Sequence, residues 1–323
     1  MATQPKSSKA SHLLAPAAVM SVVLLMIVPL PPLMLDLLLS VDIGLAVTLL
    51  LTAIYVRQPV EFSVFPSLLL LLTLIRLSLN VASTRLVLMD GAQGVDAAGN
   101  VIMAFGQFVV AGNFVVGIMV FLVLIAIQFL VINHGAVRIS EVTARFTLDA
   151  MPGSQMAIDA DLNAGVINEK EARERRDRVR READFYGAMD GAIRFTQRDA
   201  LAAVLITGVN IVAGLIIGVA QHGLDLAEAA RTYTILTVGE GLVTAIPALL
   251  VSMSGGLITT RAASESNLGE EVAAQLLDFG FLRTEVGLDL LQLVDEVEVL
   301  VLQVLDLLSE LLLRLLAHRV DVL

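Results

Sequence analysis

The chain has no cysteine among its 323 residues and only four histidines, His12, His134, His222 and His318. Without cysteine there are no disulfides, thiolate metal sites or cysteine nucleophiles. No histidine stands within helical reach of another, so no local histidine metal motif forms either. Charge is also scarce, at 16% of residues, against about 25% in soluble domains. No segment has a basic face, which excludes nucleic acid as a partner. There is no GxxxxGK[ST] string, and Gly239-Glu240-Gly241 lacks both the third glycine and the preceding strand of a dinucleotide loop. Four scattered histidines do not assemble a Ser/His/Asp triad. No enzyme activity, cofactor or metal is therefore expected.

What the chain has is apolar length. Hydrophobic residues make up 57% and the mean hydropathy is +0.83. Six runs approach or exceed the roughly 20 residues that cross a bilayer core: 17–35, 38–56, 64–88, 107–132, 200–220 and 232–258. The expected fold is all-α, a polytopic membrane protein with about six transmembrane helices and a helical cytoplasmic loop. Pro29, Pro31 and Pro32 should kink or end the first run, and Asp42 makes the second marginal. An apolar hairpin follows the N-terminus directly and no small-residue cleavage site is apparent, so no signal peptide is expected.

The formal charge of −11 is unevenly placed. Residues 134–199 hold eleven basic and twelve acidic side chains, while 261–323 hold four basic and twelve acidic. Loop charges orient the spans. Lys6, Lys9, Arg57 and the Arg-rich 134–199 stretch fall on one side if the N-terminus is cytoplasmic, and the acidic 89–104 and 221–231 loops fall on the other. The division is a cytoplasmic tail at 1–16, spans one to four at 17–132, a cytoplasmic loop at 133–199, spans five and six at 200–260, and an acidic tail at 261–323. Within the loop, 168–185 reads as a solvated helix with favourable i,i+4 pairs at Glu171–Arg175, Glu174–Arg178 and Asp177–Arg181. Pro152-Gly153 and Asn163-Ala164-Gly165 mark turns.

A few polar residues interrupt the spans. Arg76 lies mid-span, with Asn80 a turn on and Arg85 nearer the end. A charge at that depth is expensive and faces protein or water, as a helix clamp or as part of a transport path; Asn80, Ser83 and Thr84 suit interhelical hydrogen bonds. Glu240 is an intramembrane carboxylate flanked by glycines, with Pro247 downstream. That pattern suggests a locally broken helix around a wet cavity, or a static partner for Arg76 or Arg85. Asp190 sits in an apolar, Gly-flanked stretch and Asp199 just before span five, both where a cytoplasmic carboxylate meets the membrane. Arg145 and Asp149, four apart, share a helical face.

The strings EFSVFPSLLLLLTL (61–74) and RLSLNVASTRLVL (76–88) resemble the signature of the FHIPEP family, the export-gate proteins of flagellar and virulence-associated type III secretion. The likeness continues through FGQFVVAGNFVVG (105–117), ISEVTARFTLDAMPGSQMAIDADLNAG (139–165), EADFYGAMDGA (182–192) and GEGLVTAIPALLVS (239–252), covering about 17–275. The wording is closer to the flagellar branch. The resemblance implies an inner-membrane component of a protein export machine, assembled as a homo-oligomeric ring with other inner-membrane export proteins. It would couple ion flow, chiefly of protons, to movement of unfolded substrates. The positions that match the family's coupling residues are Arg138, Arg145, Asp149, Asp190, Asp199 and Glu240. Two rival readings are an ion-coupled small-solute transporter using Asp42, Arg76 and Glu240, and a non-transporting scaffold paralogue.

The chain departs from the family pattern at several points. Ser154 and Gln197 stand where lysine is usual, Arg198 where glycine is, Glu240 where aspartate is, and Ala111 and Ala245 where glycine and glutamine are. The family's last spans and large soluble domain are not recognisable after Thr260. Instead 286–318 forms a Leu/Val-rich helical pattern with a polar stripe at Gln292, Asp295, Glu296, Gln303, Asp306, Glu310 and Arg314. Acidic residues in every 20-residue window make it an amphipathic packing or membrane-surface helix. Its charge favours a protein partner over anionic lipid.

Overall fold

The computed structural model describes residues 20–110 and 114–261, with the isolated position 269, and every regular element among them is helical. The chain divides after Ala263, and the expected tail helix over 286–318 lies outside the described residues. The elements are α1 over 20–27, α2 Pro32–Tyr55, α3 Phe65–Asp90, α4 Asn100–Val110, α5 Phe114–Ala126, α6 His134–Asn163, α7 Glu169–Ile216 and α8 Leu226–Thr260. Five helical stretches among the described residues are long and apolar enough to cross a membrane; the sixth expected span, 17–35, lies partly outside them.

Proline explains where the first two elements part. The chain leaves the helix at 28–31 and Pro32 starts α2, so 32–35 belong to α2 and not to the first run. Proline at a first helical turn loses no hydrogen bond that the helix would have made. The carbonyls orphaned at the end of α1 are met from α3, where Arg85 donates to Ile27 O (2.8 Å) and Met26 O (3.3 Å); Ser78 Oγ adds a contact to Val22 O (3.0 Å) within the helix.

The expected span at 107–132 is divided between α4 and α5, which turn back on each other: Gly117 packs against the Val110 backbone. α4 begins beside Glu240, since Gly239 lies against the Ile102 carbonyl and Gly106 against the Ile235 carbonyl. These paired glycines let two antiparallel backbones touch. The free N–H groups at the start of α4 are capped by Asp36 of α2, whose carboxylate accepts from Asn100 N (2.8 Å) and Val101 N (3.0 Å). An irregular segment is tolerated at membrane depth only when protein satisfies its backbone in this way.

α5 passes into α6 through a π-helical stretch, Ile127–Asn133, and α6 continues to Asn163. Pro152 therefore lies inside α6, which corrects the turn expected at Pro152-Gly153. The proline is exposed, so the carbonyl it leaves unpaired meets solvent rather than apolar surroundings. The second expected turn is real. Gly165 at φ +72° ends α6, with Gly165 N donating to Leu162 O and Val166 N to Asp161 O, a Schellman motif. Asn168 then caps α7 by accepting from Glu171 N (2.9 Å). Of the expected i,i+4 pairs, Arg175–Glu171 forms at 3.0 Å, whereas Glu174 lies 3.9 Å from Lys170. Arg176–Asp159 and Arg175–Asp161 tie the two arms of the hairpin.

Cross-helix contacts fix the helix directions. Thr73–Thr196, Arg76–Asp199 and Thr84–Asn210 contacts set α3 and α7 parallel. Asn210–Glu240 and the seating of Tyr233 on Gly214 set α8 antiparallel to α7. Phe121 on Gly241 and Asn133–Ser252 set α5 parallel to α8. Buried Leu35, Leu79, Ile102, Tyr233 and Leu236 fill one end of the bundle, and Phe65, Leu69, Met189, Ile193 and Ile258 the other. α5 and α7 expose Val116, Met119, Val123, Leu205, Val209 and Val212 outward, as helices do in lipid.

Close glycine packing makes a direct prediction. Gly239→Leu pushes a side chain into the Ile102 carbonyl, a backbone atom that cannot rotate away, while Gly135 has open space around it. Overpacking costs about 1–3 kcal/mol. Thermal melting in detergent should show a marked loss for Gly239→Leu and none for Gly135→Ala; equal melting temperatures would refute the crossing.

A buried polar core between α3, α7 and α8

One face of α3 carries Arg76, Asn80, Ser83 and Thr84, at i, i+4, i+7 and i+8, which helical spacing stacks into a single stripe. α7 opposes it with Thr196, Asp199 and Asn210, and α8 with Glu240 and Thr244. All but Thr84 are essentially buried.

Two centres form along this stripe. At the first, Arg76 Nη1 donates to Asp199 Oδ2 at 2.8 Å, with side-chain exposures of 1% and 2%. Asp42 of α2, 2% exposed, lies close enough to interact electrostatically with both. A charge removed from water needs such a partner, because an isolated ion in a low dielectric is prohibitively costly. At the second centre Glu240 takes three hydrogen bonds from two neighbouring helices, α3 and α7. Ser83 Oγ donates at 2.5 Å and Thr84 Oγ1 at 3.0 Å to Oε1, and the Asn210 amide donates to Oε2. All three donors are neutral. Thr244 Oγ1 donates to the Glu240 carbonyl at 3.0 Å, one turn along α8.

Glu240 is thus partner neither to Arg76 nor to Arg85: the first binds Asp199 and the second the α1 carbonyls. The helix around Glu240 is also unbroken, α8 running from Leu226 to Thr260 with Pro247 inside it. Its flanking glycines serve close packing, Gly239 against α4 and Gly241 against the Phe121 ring.

A small cleft, with about 20 Å³ of internal volume, opens beside the first centre, between α5 and α7. Arg76, Asn80, Gln128, Asp199, Thr207 and Thr244 form its polar wall. The π-helical stretch turns Gln128 inward to this cleft, and five residues later Asn133, which meets Ser252 Oγ at 2.9 Å. Such π segments often mark functional sites.

The remaining sequence candidates sit elsewhere. Arg138 lies 3.3 Å from Glu141, Glu141 lies 3.6 Å from Arg194, and Arg194 Nε donates to Asp190 at 2.9 Å, a charge chain joining α6 to α7. Arg145–Asp149 is a looser pair at 3.7 Å, with side chains 81% and 69% exposed. Of the six coupling candidates only Asp199 and Glu240 enter the buried core. Sequence reasoning missed Asn210, a single amide in an apolar run, and Asp36. No cluster of three or more Asp, Glu or His ligands for a metal exists among the described residues.

Replacing Arg76 with Leu strands Asp199, and breaking a buried pair from one side costs about 3–5 kcal/mol. The double substitution Arg76→Met with Asp199→Leu should recover most of that loss in detergent melting. A neutral Arg76→Leu would show that the pair contributes nothing to the fold.

Residues 22–317 match the FHIPEP family. The chain is 53% identical over 273 residues to the flagellar biosynthesis protein FlhA of Proteus mirabilis, covering 84% of this chain and 39% of that protein. It is 52% identical over 271 residues to FlhA of Escherichia coli strain K12, with the same two shares, and 53% over 262 residues to FlhA of Bacillus subtilis strain 168, covering 81% and 38%. It therefore spans about two fifths of the length of these relatives. No solved structure matches it. On the family match and these identities, the chain belongs to the FHIPEP family.

Proposed function

We propose that the chain is the membrane part of a flagellar-type protein export gate, which couples ion flow, chiefly of protons, to the export of unfolded proteins. The observation that carries the reading is the buried polar core. Asp42, Asp199 and Glu240 lie in an apolar helix bundle with one guanidinium, Arg76, among them. Two carboxylates beside one cation and a third held only by neutral donors supply more proton acceptors than a static ion pair uses, and ionisable groups at membrane depth are functional candidates by default. The names of the relatives, flagellar biosynthesis proteins, support the assignment to flagellar export.

The proposed setting is the bacterial inner membrane with the N-terminus cytoplasmic. Residues 1–16, the loop 133–199 and 261–323 are then cytoplasmic, and 17–132 and 200–260 hold the spans. The helix directions support this arrangement, since they bring the ends of α2, α5 and α8 and the start of α7 to one side. In this scheme the Arg138, Glu141, Arg194 and Asp190 chain and the Arg145–Asp149 pair lie at the cytoplasmic hairpin. There they respond to cargo or neighbours, while Asp199 and Glu240 handle the ion. The bare apolar faces of α5 and α7 meet lipid, neighbouring copies in a ring, and other inner-membrane export proteins.

The test is complementation of an export-gate-deficient strain, scoring secreted flagellar protein. The chain should restore secretion, and Glu240→Gln and Asp199→Asn should each reduce it about tenfold or more at unchanged membrane levels, on the scale of a lost proton-transfer group. Asp190→Asn should have the smaller effect. Secretion indifferent to all three substitutions would sink ion coupling, and normal membrane assembly without secretion would indicate a scaffold.

A further inference from the structure

The cleft beside Arg76 has a chemical peculiarity. Its polar wall carries buried atoms with no protein partner of both kinds: Arg76 Nε and Nη2 as donors, Asp199 Oδ1 and Asn80 Oδ1 as acceptors. Arg76 is 1% exposed, Asn80 2% and Asp199 4%. A buried polar group left without a partner is costly, so each of these calls for one. A lone anion would suit the guanidinium but meet the two acceptor oxygens, and a lone cation the reverse. The species that donates and accepts in the same small space is water, and polar cavities of sufficient size hold it.

We propose that this cleft is a water-holding vestibule that reaches Arg76 and Asp199 and ends at Asn80, short of Glu240. The inference deepens the proposed ion-coupling role by dividing the two centres into a wet one and a dry one. Asn80 stands at the division. It is one turn from Arg76 and one turn from Ser83 and Thr84, which hold Glu240. Glu240 itself does not line the cleft, which touches α8 only at Gly241, Thr244, Ala245 and Ala248. Its oxygens are instead occupied by three protein donors. The cleft runs along α7 from Asp199 to Thr207, and its Asp199 end is the one nearer Arg194 and the α6–α7 hairpin, the side from which the proposed vestibule fills.

The natural absence of cysteine gives a clean test. Single cysteines at Ala203, Thr207 and Thr244 are placed in the wall, at Ser83 beyond the division, at Ala46 in the apolar core, and at Val212 on the outward face of α7. Membrane vesicles of known sidedness are treated with a charged, membrane-impermeant methanethiosulfonate. The reagent attacks thiolate, which forms in water and not in apolar surroundings. Ala203→Cys, Thr207→Cys and Thr244→Cys should react about tenfold or more faster than Ala46→Cys and Val212→Cys. They should do so from the hairpin side alone. Ser83→Cys should stay as slow as the controls, and Asn80→Ala in the same chain should bring it to the wall rate.

Wall cysteines as inert as Ala46→Cys would overturn the vestibule, and a Ser83→Cys that reacts as fast as Thr207→Cys would overturn its end at Asn80. Three wall positions guard against one variant failing to insert. The labelling needs no secretion, so a chain inactive in export with a reactive wall would overturn the export reading and leave the vestibule standing.

Discussion

A guanidinium placed where there is no water must be met by protein, and this requirement organises the bundle. Arg76 is 1% exposed, so α3 and α7 have to bring Asp199 within 2.8 Å of it. Once that contact is made, parallel helices repeat their register, and the Thr73–Thr196 and Thr84–Asn210 contacts fall on the same line at 3.3 and 3.4 Å. α8 must then lie antiparallel across both, since Glu240 draws its donors from each of them. Apolar packing alone gives membrane helices little reason to choose one neighbour over another, because lipid is as apolar as leucine. Here the polar contacts choose.

Small residues make those contacts reachable. Tyr233 lies over Gly214 of α7 and Gly218 in the π-helical turn just after it, and beside Gly91, and Gly239 touches the backbone of α4. Bulkier side chains at these points would hold the axes apart, and a hydrogen bond that is lost at the centre of a bundle cannot be replaced by solvent. Glycine on α8 thus serves proximity rather than flexibility.

Much of this was legible in the sequence, and the failures share a cause. Apolar runs, proline at the α1–α2 break and glycine at the hairpin turn are local signals, and each appears where local physics puts it. Arg76 also announces itself, as a charge in an apolar run. Its partner stands 123 positions away, and no local rule connects the two, so Glu240 was as plausible a choice as Asp199. Asn210 barely lowers the hydropathy of its run, and Asp36 sits just after a proline-rich break; neither shows its role until another helix is beside it. The glycines around Glu240 were readable as a break or as a contact, and only the neighbouring backbone decides between them. Pro152 misled because proline usually ends a helix, whereas on an exposed face it removes one bond and leaves the rest of α6 intact.

The unbroken length of α7 has a mechanical consequence. Its 48 residues extend about 72 Å at 1.5 Å per residue, from the capped hairpin tip through Asp190, Asp199 and Asn210 to Ile216. No proline interrupts it, and its N-terminus is fastened by Asn168 and by the arginines that grip α6. A load applied at the tip meets no joint along the way. It arrives at the Arg76 contact as an axial slide or a twist of the whole rod, and α7 behaves as a pushrod with a charged latch partway along its shaft.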